Sequence, residues 1–200
     1  PKMGGGGIYE LEMIFNLVLL PIAITAGPVF AHSISREFTD RELITLLTQP
    51  VEKWMVISAK LITNTLMLYL ASALPLILET YLLLVEKPVV LLAILVTLLI
   101  HILFVSSVVT ALALTTKNII LTILGSLFLF LGLDFLVGGH PFYKNLSPMT
   151  ILCFLEDILV GTSYEVSLKT FLGAFFCQFS LPILLLILCV MYFHYVMQLD

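Results

Sequence analysis

Five long apolar stretches, separated by shorter polar segments, dominate the chain. They cover residues 12–31, 56–85, 88–114, 119–137 and 171–196. A helix needs about 20 mostly apolar residues to cross a hydrocarbon core, because the core is about 30 Å thick and each residue rises about 1.5 Å. An unpaired backbone cannot cross lipid, and the stretches lack the short alternating pattern of barrel strands. The pattern predicts an all-α integral membrane protein with about five transmembrane helices in a single domain.

Two polar segments are expected to lie outside the hydrocarbon, namely residues 33–54 and 138–170. The second segment contains signals for a short helix. Ser147 is a typical N-cap residue, Pro148 suits the first helical position, and Gly161 is a typical stop. We therefore predict a short outer helix in segment 138–170.

Basic residues near the ends of the spans set the expected orientation, since cytoplasmic loops are enriched in Lys and Arg. One side carries five basic residues and the other carries four. The first group clusters around segment 33–54, which we place in the cytoplasm. The two groups are Arg36, Arg41, Lys53, Lys60 and Lys117 on the first side, and Lys2, Lys87, Lys144 and Lys169 on the other.

Composition agrees with a lipid environment. Of the 200 residues, 60% are hydrophobic and 11% are charged, whereas soluble domains carry about 25% charged residues. The mean hydropathy is +1.15. The net charge of -4 is dispersed and no basic tract is present, which argues against a nucleic-acid partner.

Segment 33–54 contains the pattern of a short amphipathic helix. Thr39 and Glu42 have the spacing of a capping box, and Pro50 ends the helix or starts the next element. An apolar stripe follows at helical spacing, formed by Leu43, Leu46 and Leu47. Such a helix either lies on the membrane surface or docks a protein partner. The polar face mixes acids with bases, and this favours a protein over anionic lipid.

The run from Arg36 to Lys60 resembles the cytoplasmic segment of ABC-2 type transporter permeases, the membrane subunits of one class of ATP-binding cassette exporters. The matching positions are Arg36-Glu37, Leu46-Leu47, Pro50 and Lys60, and the order of the later spans and loops also matches. The chain departs from the family at Arg41-Glu42, where a Gly-Thr pair is common, and at Ala59, where Gly is common. Members usually have six spans, so either a leading helix is missing here or the subunit is shortened.

The resemblance implies a coupling helix that docks on a separate ATPase subunit. The leucine stripe would anchor this helix, and the charged residues would set its register. Other implied partners are a second permease copy or paralogue and the lipid bilayer. No cofactor is expected in this chain, because its sequence lacks a GxxxxGK[ST] phosphate loop, so ATP and Mg would bind to the ATPase. The implied docking residues are Arg36, Glu37, Asp40, Arg41, Glu42, Leu43, Leu46, Leu47 and Pro50.

Polar residues within the spans are the candidates for a translocation path. Ser58, Thr65, Ser72 and Glu79 recur every seven residues on one face of the second span, with Glu79 near the predicted outer mouth. This stripe either packs against other helices or lines a path. His101 in the third span is read in the same two ways, as a packing histidine bonded to a neighbouring helix or as a path residue. The scattered histidines lack metal-binding motifs, so no metal site is assigned.

Two other functions remain open at this stage. A secondary transporter would need inverted repeats or broken helices around an ion site at mid-membrane, and the sequence shows no repeat between its halves. A membrane scaffold subunit would use the amphipathic helix only to hold a partner. The expected function is the permease subunit of an exporter in the cell membrane, without catalysis of its own.

Overall fold

The computed structural model describes residues 6–36, 53–83, 88–132, 147–160 and 166–196. Every regular element within these ranges is a helix, which confirms the all-α prediction. The elements are α1 (Gly6–Phe30) with a π-helical turn at Ala31–Ser35, α2 (Lys53–Leu83), α3 (Pro88–Thr116), α4 (Ile119–Leu127) with a π-helical turn at Phe128–Gly132, α5 (Pro148–Val160), and α6 (Leu168–Phe175), which a π-helical turn at Phe176–Ser180 joins to α7 (Leu181–Val196).

Four helical segments in the described part of the chain are long and apolar enough to cross a membrane. They are Leu17–Ser35, Trp54–Leu78, Val89–Thr116 and Leu168–Tyr192. The predicted span 119–137 is represented by a shorter apolar helix, Ile119–Phe130. Twelve residues of α-helix extend only about 18 Å, less than the hydrocarbon thickness. The count of about five spans therefore stays a prediction, since residues 133–137 lie outside the described ranges.

Side-chain caps set the starts of two helices, one at the residue where the predicted span begins and one three residues before it. The Asn118 side-chain oxygen accepts hydrogen bonds from the backbone N–H groups of Ile120 (2.9 Å) and Leu121 (3.2 Å), so α4 starts at Ile119. The Ser167 hydroxyl accepts from the N–H of Thr170 at 3.2 Å, so α6 starts at Leu168 rather than at 171. Such caps satisfy N–H groups that have no partner within their own helix.

Helix α3 is the centre of the bundle and packs against α1, α2, α4, α5 and the α6–α7 segment. Half of its most apolar stretch is buried, against 17% for the last span. The main core combines residues of α1 and α3 at helical spacing. Its fully buried members include Ile22, Ala26, Phe30 and Ile34 from α1, and Leu98, Ile102, Val105 and Val109 from α3.

The short helix expected in segment 138–170 is present as α5, and it packs against two other helices. Ile151 of α5 forms a cluster with Ile100 of α3 and Ala174 of α6. Ile100 is near the midpoint of α3, so α5 reaches deep along the central helix. Leu152 belongs to the main core as well. The position of α5 outside the hydrocarbon stays a prediction.

Candidate functional site

The predicted docking segment begins at Arg36, which follows the π-helical turn at the end of α1. Arg36 is exposed at the end of the α1 helical run, and its Nη1 lies 2.9 Å from Nε2 of His32 one turn earlier. The remaining candidate docking residues lie outside the described residues, and their placement stays a prediction. These are Glu37, Asp40, Arg41, Glu42, Leu43, Leu46, Leu47 and Pro50.

The two helices that flank this segment are tied together close to it. Lys60, in the second turn of α2, donates from its Nζ to the backbone carbonyl of Ser33 at 3.1 Å. Ser33 lies within the π-helical turn that ends α1. Arg36 and Lys53, the described residues on either side of the segment, therefore lie at the same end of the molecule.

Three hydroxyl groups connect this end of α1 to α3 and α4. We call Ser35, Thr116 and Thr122 the hydroxyl cluster. The Ser35 Oγ lies 2.9 Å from the Thr122 Oγ1, and the Thr116 Oγ1 also lies 2.9 Å from the Thr122 Oγ1. Ser35 and Thr122 are fully buried. Because Thr122 sits between the other two, it links three helix ends in a position from which water is excluded.

The polar turn expected between the third and fourth spans holds the cluster in place. Helix α3 ends at Thr116 and α4 begins at Ile119, which leaves two residues for the turn. Lys117 adopts a left-handed backbone with φ of 50°, and its N–H donates to the Ala113 carbonyl at 3.0 Å. Left-handed residues of this kind commonly end helices. The reversal brings Thr116 and Thr122 onto one surface, six residues apart in sequence.

Replacing Thr122 with Val is expected to lower the free energy of unfolding by about 1 kcal/mol, because an interhelical hydrogen bond in a membrane protein contributes about 0.6 kcal/mol on average and this change removes two. Valine keeps the shape of threonine but cannot bond to Ser35 or Thr116. The measurement is the thermal unfolding midpoint in detergent.

Thr115→Val is the matched control for this change. The Thr115 hydroxyl is exposed and donates within its own helix, to the carbonyl of Ala111 at 2.8 Å. We expect the control to shift stability by less than about 0.5 kcal/mol. Equal effects of the two variants would show that the cluster contributes nothing between helices.

The structure describes the side chains of three of the four predicted path residues, and their surroundings differ. Thr65 is buried, with 7% of its surface exposed. Ser72 is partly exposed, and the side chain of Glu79 lies outside the described part of the structure. His101 is hydrogen-bonded to the side chain of Gln178 on the last span, and its ring centroid lies 6.2 Å from that of Phe104. The bond to Gln178 puts His101 in contact with a neighbouring helix, and its role as a path residue stays a prediction.

Three buried polar side chains that the sequence did not single out join Thr65 on α2 and on the adjacent α3. We call Asn64, Thr65, Ser106 and Thr110 the polar seam; they belong to α2 and α3, which pack together. All are at least nine-tenths buried. Asn64 Nδ2 and the hydroxyls of Thr65, Ser106 and Thr110 have no hydrogen-bond partner among the described residues. Leaving a buried polar group unpaired costs about 1–3 kcal/mol, so four on two adjacent helices are unusual.

Neighbouring hydroxyls on the same central helix behave differently. Thr97 donates to the carbonyl of Ala93 at 2.8 Å, and Ser107 donates to the carbonyl of Leu103 at 2.6 Å. These bonds to the preceding turn are the usual solution for a hydroxyl in an apolar helix. The seam hydroxyls of α3 are therefore distinguished by their lack of this bond.

Glu156 is another buried polar residue that the sequence did not single out. It lies in the short helix predicted for segment 138–170, and its side chain is only 4% exposed. It lies on α5 one turn after Leu152 of the main core. The sequence signal for its burial was weak, because it consisted only of the apolar residues that precede Glu156 from Ile151 onward.

No three His, Cys, Asp or Glu side chains come together as a possible metal site within the part of the chain that the structure describes. Comparison with known proteins identifies no relative, since no protein-family model, curated protein or solved structure matches the chain. The fold itself defines an all-α membrane protein, and the described ranges contain four helices of sufficient length and apolarity to span a bilayer.

Proposed function

We propose that this chain is the membrane permease subunit of an ABC-2 type ATP-binding cassette exporter in the cell membrane. It forms part of the substrate path and couples that path to a separate ATPase subunit. ATP and Mg bind to the ATPase, and the chain itself catalyses no reaction. The proposal rests on the resemblance of residues 36–60 to the cytoplasmic segment of that family.

The observation that best supports this proposal is the arrangement of the ends of the docking segment. Arg36 and Lys53 bracket residues 37–52, and the Lys60–Ser33 hydrogen bond holds the flanking helices together. A segment held at both ends in this way transmits a displacement directly to two helices. A surface helix on a flexible tether would not do so.

The hydroxyl cluster extends this connection to the central helix. Ser35 is one residue before Arg36, and through Thr122 it is linked to Thr116 at the end of α3. Movement of the docking segment would therefore act on α1, α2, α3 and α4 together. Packed helices with buried hydrogen bonds move as units, because their interfaces do not deform continuously.

The outer surface of the bundle fits the proposed partners. Apolar side chains of α7 such as Leu184 and Leu188 are more than half exposed, and those of α2 such as Ile62 and Met67 are about two-thirds exposed. Large exposed apolar surfaces need lipid or another protein to cover them. We assign this surface to the bilayer and to a second permease copy or paralogue. Within the bundle, Thr65, Ser72, Glu79 and His101 remain the proposed path residues.

Purification of the full chain from its native membrane in mild detergent tests the proposal. We expect an ATPase subunit in stoichiometric amount. A secondary transporter or a scaffold subunit would purify without such a partner, and that result would overturn the permease proposal.

The orientation is tested separately by cysteine labelling in intact cells. The native cysteines Cys153, Cys177 and Cys189 are first replaced with alanine. We then expect Asp40→Cys to react with an impermeant maleimide only after the membrane is opened, because segment 33–54 is cytoplasmic. Lys144→Cys is the control and is expected to react from outside. Labelling of position 40 in intact cells would contradict ATPase docking.

A further inference from the structure

A groove lies between α2 and α7 near the end of the bundle that carries the docking segment. Its volume is about 380 Å³, within the range of ligand pockets in proteins. The lining side chains are uncharged and almost entirely apolar. They include Ile57, Ser58 and Leu61 from α2, and Ile183, Ile187 and Val190 from α7.

Two contacts fix the level of this groove on the central helix. The groove pairs the late part of α7 with the start of α2, so these two helices are antiparallel. Because α2 is also antiparallel to α3, helices α3 and α7 run in the same direction. His101 of α3 bonds to Gln178 of the last span. Ser106 follows His101 by five residues and Ile183 follows Gln178 by five, so the two are level. Thr110 follows His101 by nine residues and Ile187 follows Gln178 by nine, so these two are level as well.

A third contact shows which side of α3 these hydroxyls occupy. The Tyr69 hydroxyl of α2 donates to the backbone carbonyl of Leu95 at 3.5 Å, so the side of α3 near Leu95 faces α2. Ser106 is eleven residues after Leu95, which corresponds to about three helical turns and returns to the same side. Thr110 is one turn further along. The seam hydroxyls of α3 are thus level with the groove and on the side of its α2 wall.

Asn64 and Thr65 continue the seam on α2 itself. Asn64 follows Leu61 by three residues and Ile57 by seven, a spacing that keeps all three on one helix face. Four buried polar side chains therefore lie behind or next to the residues that line the groove, and the Nδ2 group of Asn64 and the three hydroxyls have no hydrogen-bond partner among the described residues. Asn64 Nδ2 is a donor, and the three hydroxyls both donate and accept.

We propose that the groove and the polar seam together bind an amphiphile that enters from the bilayer. Its apolar chain lies in the groove, and its uncharged polar group, such as a hydroxyl or an amide, bonds to the seam. A charged head group does not fit, because the groove and the seam offer no charged side chain. Binding stands on the geometry alone; the further statement that this amphiphile is the transported substrate rests on the proposed function.

Photolabelling in native membranes tests the inference with two probes of equal length, a diazirine-bearing long-chain alcohol and the corresponding alkane. We expect the alcohol to label the α2 and α7 peptides of the groove about fivefold more than the alkane, the effect of roughly one hydrogen bond. Ser106→Ala combined with Thr110→Val is expected to remove this preference. Ile187→Trp, which fills the groove, is expected to reduce labelling by both probes.

Matched controls separate the site from the general lipid surface. Ser107→Ala removes the adjacent hydroxyl, which is already bonded to the Leu103 carbonyl, and should leave the preference intact. Leu184→Trp adds the same bulk to α7 at an exposed position that does not line the groove. The thermal midpoint of each variant is measured, and Ser106→Ala is expected to be at least as stable as the parent because its hydroxyl is unpaired.

Equal labelling by the two probes would overturn the inference, since it would mean that the groove holds ordinary lipid without using the seam. A preference that survives the Ser106→Ala and Thr110→Val changes would also overturn it. ATPase co-purification is recorded on the same samples. An unmodified protein that shows no preference for the alcohol but retains the ATPase would refute the amphiphile site alone. Preferential labelling by the alcohol without any ATPase would refute the proposed function alone.

Discussion

Replacement of Leu46 and Leu47 with Asp is expected to abolish co-purification of the ATPase subunit while the chain still inserts into the membrane. Two leucines that become buried on docking contribute about 3–6 kcal/mol. Their loss weakens binding by about a hundredfold or more, because about 1.4 kcal/mol corresponds to a factor of ten. The two added carboxylates would oppose docking further, since a buried charge without a partner is strongly unfavourable.

Gln49→Asp serves as the control for this pair. Gln49 lies off the leucine stripe, so the control adds a negative charge to the same segment without removing an anchoring side chain. We expect the ATPase to remain bound to the control variant. An ATPase that co-purifies normally with the double Asp variant would refute the docking role, whereas loss in both variants would point to charge alone.

Gly27→Ala is expected to produce the largest loss of stability among single changes within the bundle. A Cβ at Gly27 would overlap the Ser126 hydroxyl oxygen and lie 3.3 Å from the Ser126 Cβ and 3.5 Å from the Ile123 Cα. The last of these is backbone, so α1 and α4 must move apart. Overpacking of this kind costs about 1–3 kcal/mol, and Gly27→Leu should prevent assembly of the helix pair.

A second-site change tests the origin of this effect. The Ser126 hydroxyl donates within its own helix, to the Ile123 carbonyl at 2.8 Å, so its removal breaks no bond between helices. Ser126→Gly should therefore recover part of the midpoint lost in Gly27→Ala. Additive losses in the double variant would show that the two residues do not interact.

Gly125→Ala is the matched control for the glycine change. A Cβ at Gly125 would lie 3.1 Å from the Cδ2 of Leu112, which is the end of a flexible side chain. The side chain can adjust, and alanine is favoured over glycine within a helix by about 1 kcal/mol. We expect a small change of either sign, well below that of Gly27→Ala.

The helical class and the rough limits of the helices were predictable from local sequence. The polar turn after α3 was also predictable, because Thr116, Lys117 and Asn118 interrupt an apolar run. The start of α4 at Ile119 was predicted correctly. The start of α6 was less accurate, since the Ser167 cap acts through one side chain that a hydropathy average does not weigh. The start of the short helix at Pro148 followed from its N-cap signal.

The candidate site was only partly predictable. The bond between His101 and a neighbouring helix was anticipated, but its partner Gln178 was not. The seam residues Ser106 and Thr110 look like any other hydroxyls in an apolar helix. Only the structure shows that Ser107 bonds to its own helix and that Ser106 has no partner among the described residues.

The sequence by itself determined that this protein is helical and suited to lipid, because twenty apolar residues in succession satisfy both the bilayer and their own backbone hydrogen bonds. The tertiary structure decided which faces meet. Helices such as α3 and α7 carry apolar residues on every side, so their periodicity does not indicate a packing face. The pairing of Ser35 with Thr122, 87 residues apart, and the contact of Gly27 with Ser126 depend on how whole helices fit together.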